Sequence, residues 1–144
     1  MNRFRRDQAT VATLEDVQVT SPRSGVSVVS FYGEHDLATS QSTAELLDSL
    51  LLANDLVIAD VSDAQFIDAS MLHVLIVADK AARARGADFR IRLGTTAIVQ
   101  RTFQISGVLD QLTWASSMDE ALGGSQAQAQ QDASGGSSGA RSAA

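Results

Sequence analysis

The spacing of apolar and polar residues changes period several times along the chain, and each change marks an element. Residues 11–20 set Val11, Leu14, Val17 and Val19 among polar neighbours, and residues 26–32, VSVVSFY, are β-branched and aromatic. Both runs predict strands, paired through the turn chemistry of SPRSG between them. Residues 39–53 bring Leu46, Leu47, Leu50 and Leu51 to helical spacing behind Thr39 and Ser40, residue types that cap helix starts. LVIADV at 56–61 is short and nearly all apolar, which predicts a central strand covered on both faces.

Residues 71–86 predict a long helix closed by Gly86. At 100° per residue, Met71, Val74, Leu75, Ala78, Ala81 and Ala82 form its core stripe, while Leu72, His73 and Ile76 fall outside it with Lys80 and Arg83. Its first half is therefore apolar nearly all round. FRIRL alternates Phe89, Ile91 and Leu93 with Arg90 and Arg92, predicting a strand with one solvated face. A helix from Thr95 or Thr96 to Gly107, a short strand at LTW, and a helix at SMDEAL opened by the Ser117 and Glu120 capping box complete the chain. Strands alternating with helices predict an α/β domain: a mixed, mostly parallel sheet of four to five strands packed with about four helices.

Composition bounds this picture. The chain has 144 residues, 44% of them hydrophobic, enough for one core and one domain, here residues 11–122. From Gly123 the sequence is Gly, Ser, Ala and Gln with no large apolar residue, so 123–144 is expected to be a disordered tail. A formal charge of −6 argues against nucleic acid or an anionic membrane as a partner, because both are held mainly by Lys and Arg. The absence of cysteine removes disulfides, thiolate nucleophiles and zinc–thiolate sites. No apolar run approaches the roughly 18 residues of a membrane span, and the Arg3, Arg5 and Arg6 start has no apolar core behind it as a secretory signal would. A soluble, cytoplasmic protein is expected, with no cofactor and no bound metal.

The candidate chemistry centres on FIDASML, residues 66–72, where a Ser follows a strand and a loop at the first turn of a long helix. Ser70 in the first turn can offer its oxygen to exposed backbone N–H groups, and on position alone it reads as a helix cap. The same place also suits a phosphate, which adds about −1.5 to −2 charges at the positive end of the helix dipole. His73 follows Ser70 by three residues, and His35 lies between Glu34 and Asp36. A Ser, His and Asp set invites a hydrolase reading, but there is no G-x-S-x-G elbow and no identifiable oxyanion hole. Glu34, His35 and Asp36 do not make a metal site, since successive residues of a strand end point to opposite faces. Glu34 and His35 are expected to be solvated, and Asp36 to bond to a turn or lie near Ser70. Asp60 is expected to satisfy loop amides at its strand end, and Phe103 and Trp114 to lie in or beside the core.

FYGEHDLAT, followed by VIADVSDAQFIDASMLHVLIVADKAARARGADFRI, resembles the STAS domain of bacterial anti-sigma factor antagonists. That family's pattern runs G-E-L-D-x-x-T, a helix, an apolar strand ending in Asp, and D-S-S-G-L opening the next helix. This chain departs from it at His35 for Leu, Ala69 for the first Ser and Met71 for Gly. The resemblance implies a STAS-like fold and a non-enzymatic binding module that sequesters an anti-sigma factor and frees a sigma factor. It implies phosphorylation at Ser70 by a kinase-type anti-sigma factor, reversal by a phosphatase, and Asp36 and Asp68 as polar neighbours of that site. A partner would press on Leu72, His73 and Ile76, and phosphate on Ser70 would expel it. The alternatives are a constitutive antagonist that is never phosphorylated and a STAS-type subunit of a membrane transporter complex.

Overall fold

A computed structural model describes residues 13–14 and 16–123. Val11 and the expected tail beyond Gly123 lie outside the described residues. The elements run β1 (Thr13–Leu14), β2 (Val17–Arg23), β3 (Val26–Phe31), β4 (Gly33–His35), α1 (Leu37–Ala53), β5 (Leu56–Asp60), β6 (Ala64–Ile67), α2 (Ala69–Arg85), β7 (Asp88–Arg92), α3 (Ala97–Ser106), a 3₁₀ turn (Val108–Gln111), β8 (Thr113–Ala115) and α4 (Met118–Leu122). The main sheet has the order β1-β2-β3-β5-β7-β8, antiparallel from β1 to β3 and parallel from β3 to β8. The α/β class and the mostly parallel sheet are as the sequence predicts, with a sixth strand supplied by the two-residue β1.

Alternation along the central strands divides the apolar residues between two faces. Val29, Phe31, Val57, Ala59, Phe89 and Ile91 join Leu47, Leu50, Leu51, Met71, Leu75 and Phe103 in the main core. Val26, Val28, Leu56 and Ile58 form a smaller cluster with Ala115 and Ala121 of α4. All five residues of β5 are buried, as a strand covered on both sides must be.

Three expectations need correction, each because tertiary contact overrides the local signal. Ser21, Pro22 and Arg23 belong to β2 rather than to the turn, and the ladder takes a register shift where the proline lies. Only Ser24 and Gly25 make the turn, with Gly25 at φ +79°. Arg90 is buried, not solvated, because α4 packs over its face of the sheet; its guanidinium donates to the Ala121 carbonyl at 2.8 Å and pairs with Asp88 at 3.1 Å. The expected loop before the α2 start is a strand: β6, which includes Phe66 and Ile67 of FIDASML, pairs in parallel with β4, aligning Glu34 with Phe66 and His35 with Ile67. Strands of three and four residues are too short to show a period, so only their pairing reveals them.

Candidate functional site

Two aspartates built the same way into D-x-S turns stand at the ends of β5 and β6. Asp60 Oδ1 accepts from the Ser62 amide at 3.0 Å and from the Ser62 hydroxyl at 2.6 Å. Asp68 Oδ1 accepts from the Ser70 amide at 2.9 Å and from the Ser70 hydroxyl at 2.5 Å. Their surroundings separate them. Asp60 also pairs with Arg92 at 3.0 Å, and Ser62 is pressed against the backbone of Gly94, whose φ of +69° no other residue adopts easily. The Asp60 turn is thus fastened to the sheet.

The Asp68 turn opens a helix instead. Asp68 is the N-cap of α2 and also accepts from the Met71 amide at 3.2 Å, so Ser70 is not the cap that its position suggested. Ser70 lies one residue inside the helix, half-buried, and spends its hydroxyl proton on Asp68 rather than its oxygen on the helix amides. These bonds, the Ser70 hydroxyl foremost, hold the Asp68 carboxyl below its ordinary value against the opposing effect of burial, with amides of Met71, Ser70 and Leu37 adding to the depression.

Asp36 caps the neighbouring helix. Its carboxylate accepts from the Ala38 amide at 3.0 Å, and the Asp36 amide donates to the Thr39 hydroxyl at 3.2 Å in a reciprocal capping box. Helix α1 therefore starts at Leu37, ahead of the expected caps Thr39 and Ser40. The two helix starts are joined: the Asp68 amide donates to the His35 carbonyl at 3.1 Å, and the Leu37 amide bonds the Asp68 carboxylate. Asp36 and Asp68 thus flank one end of the domain, each bonded to its own helix.

The placement of the other candidates differs from expectation at Leu72 and His35. Leu72 is buried at 5% exposure and belongs to the core, so it is not available to a partner; α2 is rotated toward it, and Met71, Leu72, Leu75, Ala78, Asp79 and Ala82 form the buried stripe. Ile76 is half-buried against that core, and His73 is exposed. His35 is completely buried rather than solvated, because pairing with β6 turns it inward while Glu34 stays outside. Met71, at the place of the family's Gly, is 1% exposed and packs in the core, which leaves the Ser70 hydroxyl unobstructed by it. Two residues that the sequence did not single out belong to the open surface: Leu37, 74% exposed at the start of α1, and Val77, on the Ser70 face of α2 two turns on. An apolar residue at the first position of a capped helix was the available signal for Leu37.

The described residues contain no group of three or more His, Asp or Glu side chains arranged to hold a metal ion, and no helix among them is long and apolar enough to cross a membrane.

The STAS domain family model matches residues 18–121, which span both helix starts and the whole parallel sheet. The chain belongs to the STAS domain family. Solved STAS structures share its fold at low sequence identity. The anti-sigma factor antagonist SpoIIAA in its unphosphorylated form is 18% identical, with 85% of this chain and 99% of that one covered at a TM-score of 0.61. An anti-sigma factor antagonist from Mycobacterium paratuberculosis is 20% identical, covering 78% of this chain and 97% of its own at 0.62. The SLC26A9 structure is 16% identical and covers 81% of this chain but 22% of that one, at 0.58. No relative is found among curated protein sequences.

Proposed function

We propose that this STAS domain, placed at residues 11–122, is a cytoplasmic, non-enzymatic anti-sigma factor antagonist. It binds a kinase-type anti-sigma factor through the end that carries Ser70, and phosphorylation of Ser70 releases it. The observation that carries this reading is the half-buried Ser70 hydroxyl at the start of α2, held by Asp68, with His73 and Val77 exposed on the same face of the helix and Leu37 exposed at the start of α1. The antagonist structures are matched over nearly their whole length, whereas SLC26A9 is matched over 22% of its own, which supports the antagonist reading.

The geometry explains how one phosphate would act as a switch. The Ser70 oxygen attacks the γ-phosphorus of ATP held by the partner, the bond to the leaving ADP breaks, and the hydroxyl proton is released to solvent. Asp68 orients this hydroxyl; its carboxyl, held below the ordinary range, is a weak base. Once esterified, Ser70 has no proton to give Asp68, and a bond of 2.5 Å becomes a like-charge contact. The added charge stands on the surface a partner must desolvate, among Leu37, His73 and Val77, and is therefore worth more against the complex than against the free fold.

The test is incubation of the full chain with candidate kinase-type anti-sigma factors and ATP, followed by peptide mass spectrometry and affinity measurements. Phosphate on Ser70, absent in Ser70→Ala, with affinity lowered at least tenfold in Ser70→Asp, is the expected result. A stable complex that never acquires phosphate replaces the switch with constitutive antagonism. Neither complex nor phosphate, with co-purification of membrane ATPase subunits, replaces the reading with a transporter subunit.

A further inference from the structure

His73 is exposed one turn after the half-buried Ser70 on α2. Residues three apart on a helix are surface neighbours, with about 5–6 Å between their Cβ atoms. The Cα–Cβ bonds of a helix tilt toward its N-terminus, so the His73 ring leans back over the turn that carries Ser70. Among the described residues it has no hydrogen bond and no ion pair. An imidazole keeps at least one N–H to donate in either protonation state.

A phosphate on Ser70 has few other partners. A helix start ordinarily receives a phosphate on its backbone N–H groups. Here three of the first four amides of α2 are taken: those of Ser70 and Met71 donate to the Asp68 carboxylate and that of Leu72 to the Asp68 carbonyl. Asp36 and Asp68, which flank this end, carry charge of the wrong sign. The Lys and Arg side chains of the described residues are placed elsewhere. Those of α2 lie in its second half, Arg23 and Arg90 donate to carbonyls of α4, Arg92 pairs with Asp60, and Arg101 is on α3.

We propose that His73 clamps the phosphate of Ser70, donating a ring N–H to a phosphate oxygen and so keeping the start of α2 folded in the phosphorylated domain. This inference takes phosphorylation of Ser70 from the reading above and adds what makes it tolerable to the free fold. Without such a donor the phosphate meets the Asp68 carboxylate at the place where the hydroxyl now bonds it, and α2 starts on a like-charge contact. His73 thus changes partner with the state of the switch: it faces the docking protein when Ser70 is free and the phosphate when Ser70 is esterified.

The test uses the full chain with phosphoserine built in at position 70 during translation, so that no kinase and no anti-sigma factor enters. Urea unfolding compares the phosphorylated and unmodified forms of the native chain, His73→Ala and His73→Gln, and nitrogen NMR reads the His73 ring in both forms. A surface hydrogen bond to a charged acceptor is worth about two- to fivefold in an equilibrium constant. Phosphorylation is therefore expected to lower the folding equilibrium constant about two- to fivefold more in His73→Ala than in the native chain. His73→Gln, which keeps an N–H donor, is expected to fall between them, and the His73 ring nitrogens to shift on phosphorylation. An equal cost of phosphorylation in the native chain and His73→Ala, ring signals that the phosphate leaves unmoved, or a phosphorylated native chain that does not fold overturns the proposal. Failure of the antagonist reading shows separately, as unchanged affinity of Ser70→Asp for anti-sigma factors, and leaves this coupling in place.

Discussion

Replacing Met71 by Gly restores the residue the STAS pattern carries at this place, and here it should damage the fold rather than improve the site. The Met71 side chain is 1% exposed inside the main core. Truncating such a side chain to Ala costs about 2–5 kcal/mol through lost burial and the cavity left behind. Going on to Gly adds about 0.5–1 kcal/mol of backbone freedom in a helix. Met71→Gly is thus expected to lose about 2.5–6 kcal/mol, a large part of the roughly 5–15 kcal/mol that holds a domain together. The Asp68 cap bonds the Met71 amide, not its side chain, so it survives the change. Urea unfolding at pH 7 of the native chain, Met71→Ala and Met71→Gly reads both steps, provided the denaturant slope stays constant. A Met71→Ala loss under about 1 kcal/mol would refute the packing argument, and a loss confined to the Gly step would assign the effect to the backbone alone.

Two further outcomes follow from the buried and capping carboxylates. Asp68→Ala leaves the Ser70 and Met71 amides uncapped and is expected to cost about 1–2 kcal/mol at pH 7, with Asp68→Asn costing less because Asn also caps. Since the Asp68 carboxyl is held below its ordinary value, its contribution is present above the unfolded range near 3.8 and disappears as pH falls through the folded value; urea midpoints from pH 6 to 2 should show this component in the native chain and neither variant. Asp79, buried on the core side of α2, is shifted the other way: burial raises its carboxyl more than the 3.0 Å pair with exposed Arg83 lowers it. Its ionised form therefore weakens the fold above the raised value, and Asp79→Asn is expected to unfold at higher urea than the native chain at pH 7, the advantage vanishing as pH falls to the unfolded carboxylate range. An unchanged or lower midpoint for Asp79→Asn at pH 7 would show that the Arg83 pair outweighs burial.

The sequence by itself determined the order of the large elements, because the periods of LVIADV, FRIRL and the two long helices span enough residues to show which side is apolar. Gly86 and Gly107 closed α2 and α3 where expected, both with positive φ, since a backbone stop of that kind belongs to glycine. The DASM turn and the GEHD segment were likewise legible as the candidate site, through their resemblance to the STAS pattern. Only the tertiary structure decided which way its side chains turn. Leu72 and Met71 are adjacent on a helix start apolar nearly all round, and the contact of α2 with the sheet and α1, not any local pattern, draws both inward. His35 is buried because a three-residue strand finds a four-residue partner, a pairing between segments too short to carry a period. Arg90 is buried because α4, five residues long, folds back over it. In each case the deciding energy comes from a neighbour distant in sequence, and periodicity reports only what a residue shares with its own turn of chain.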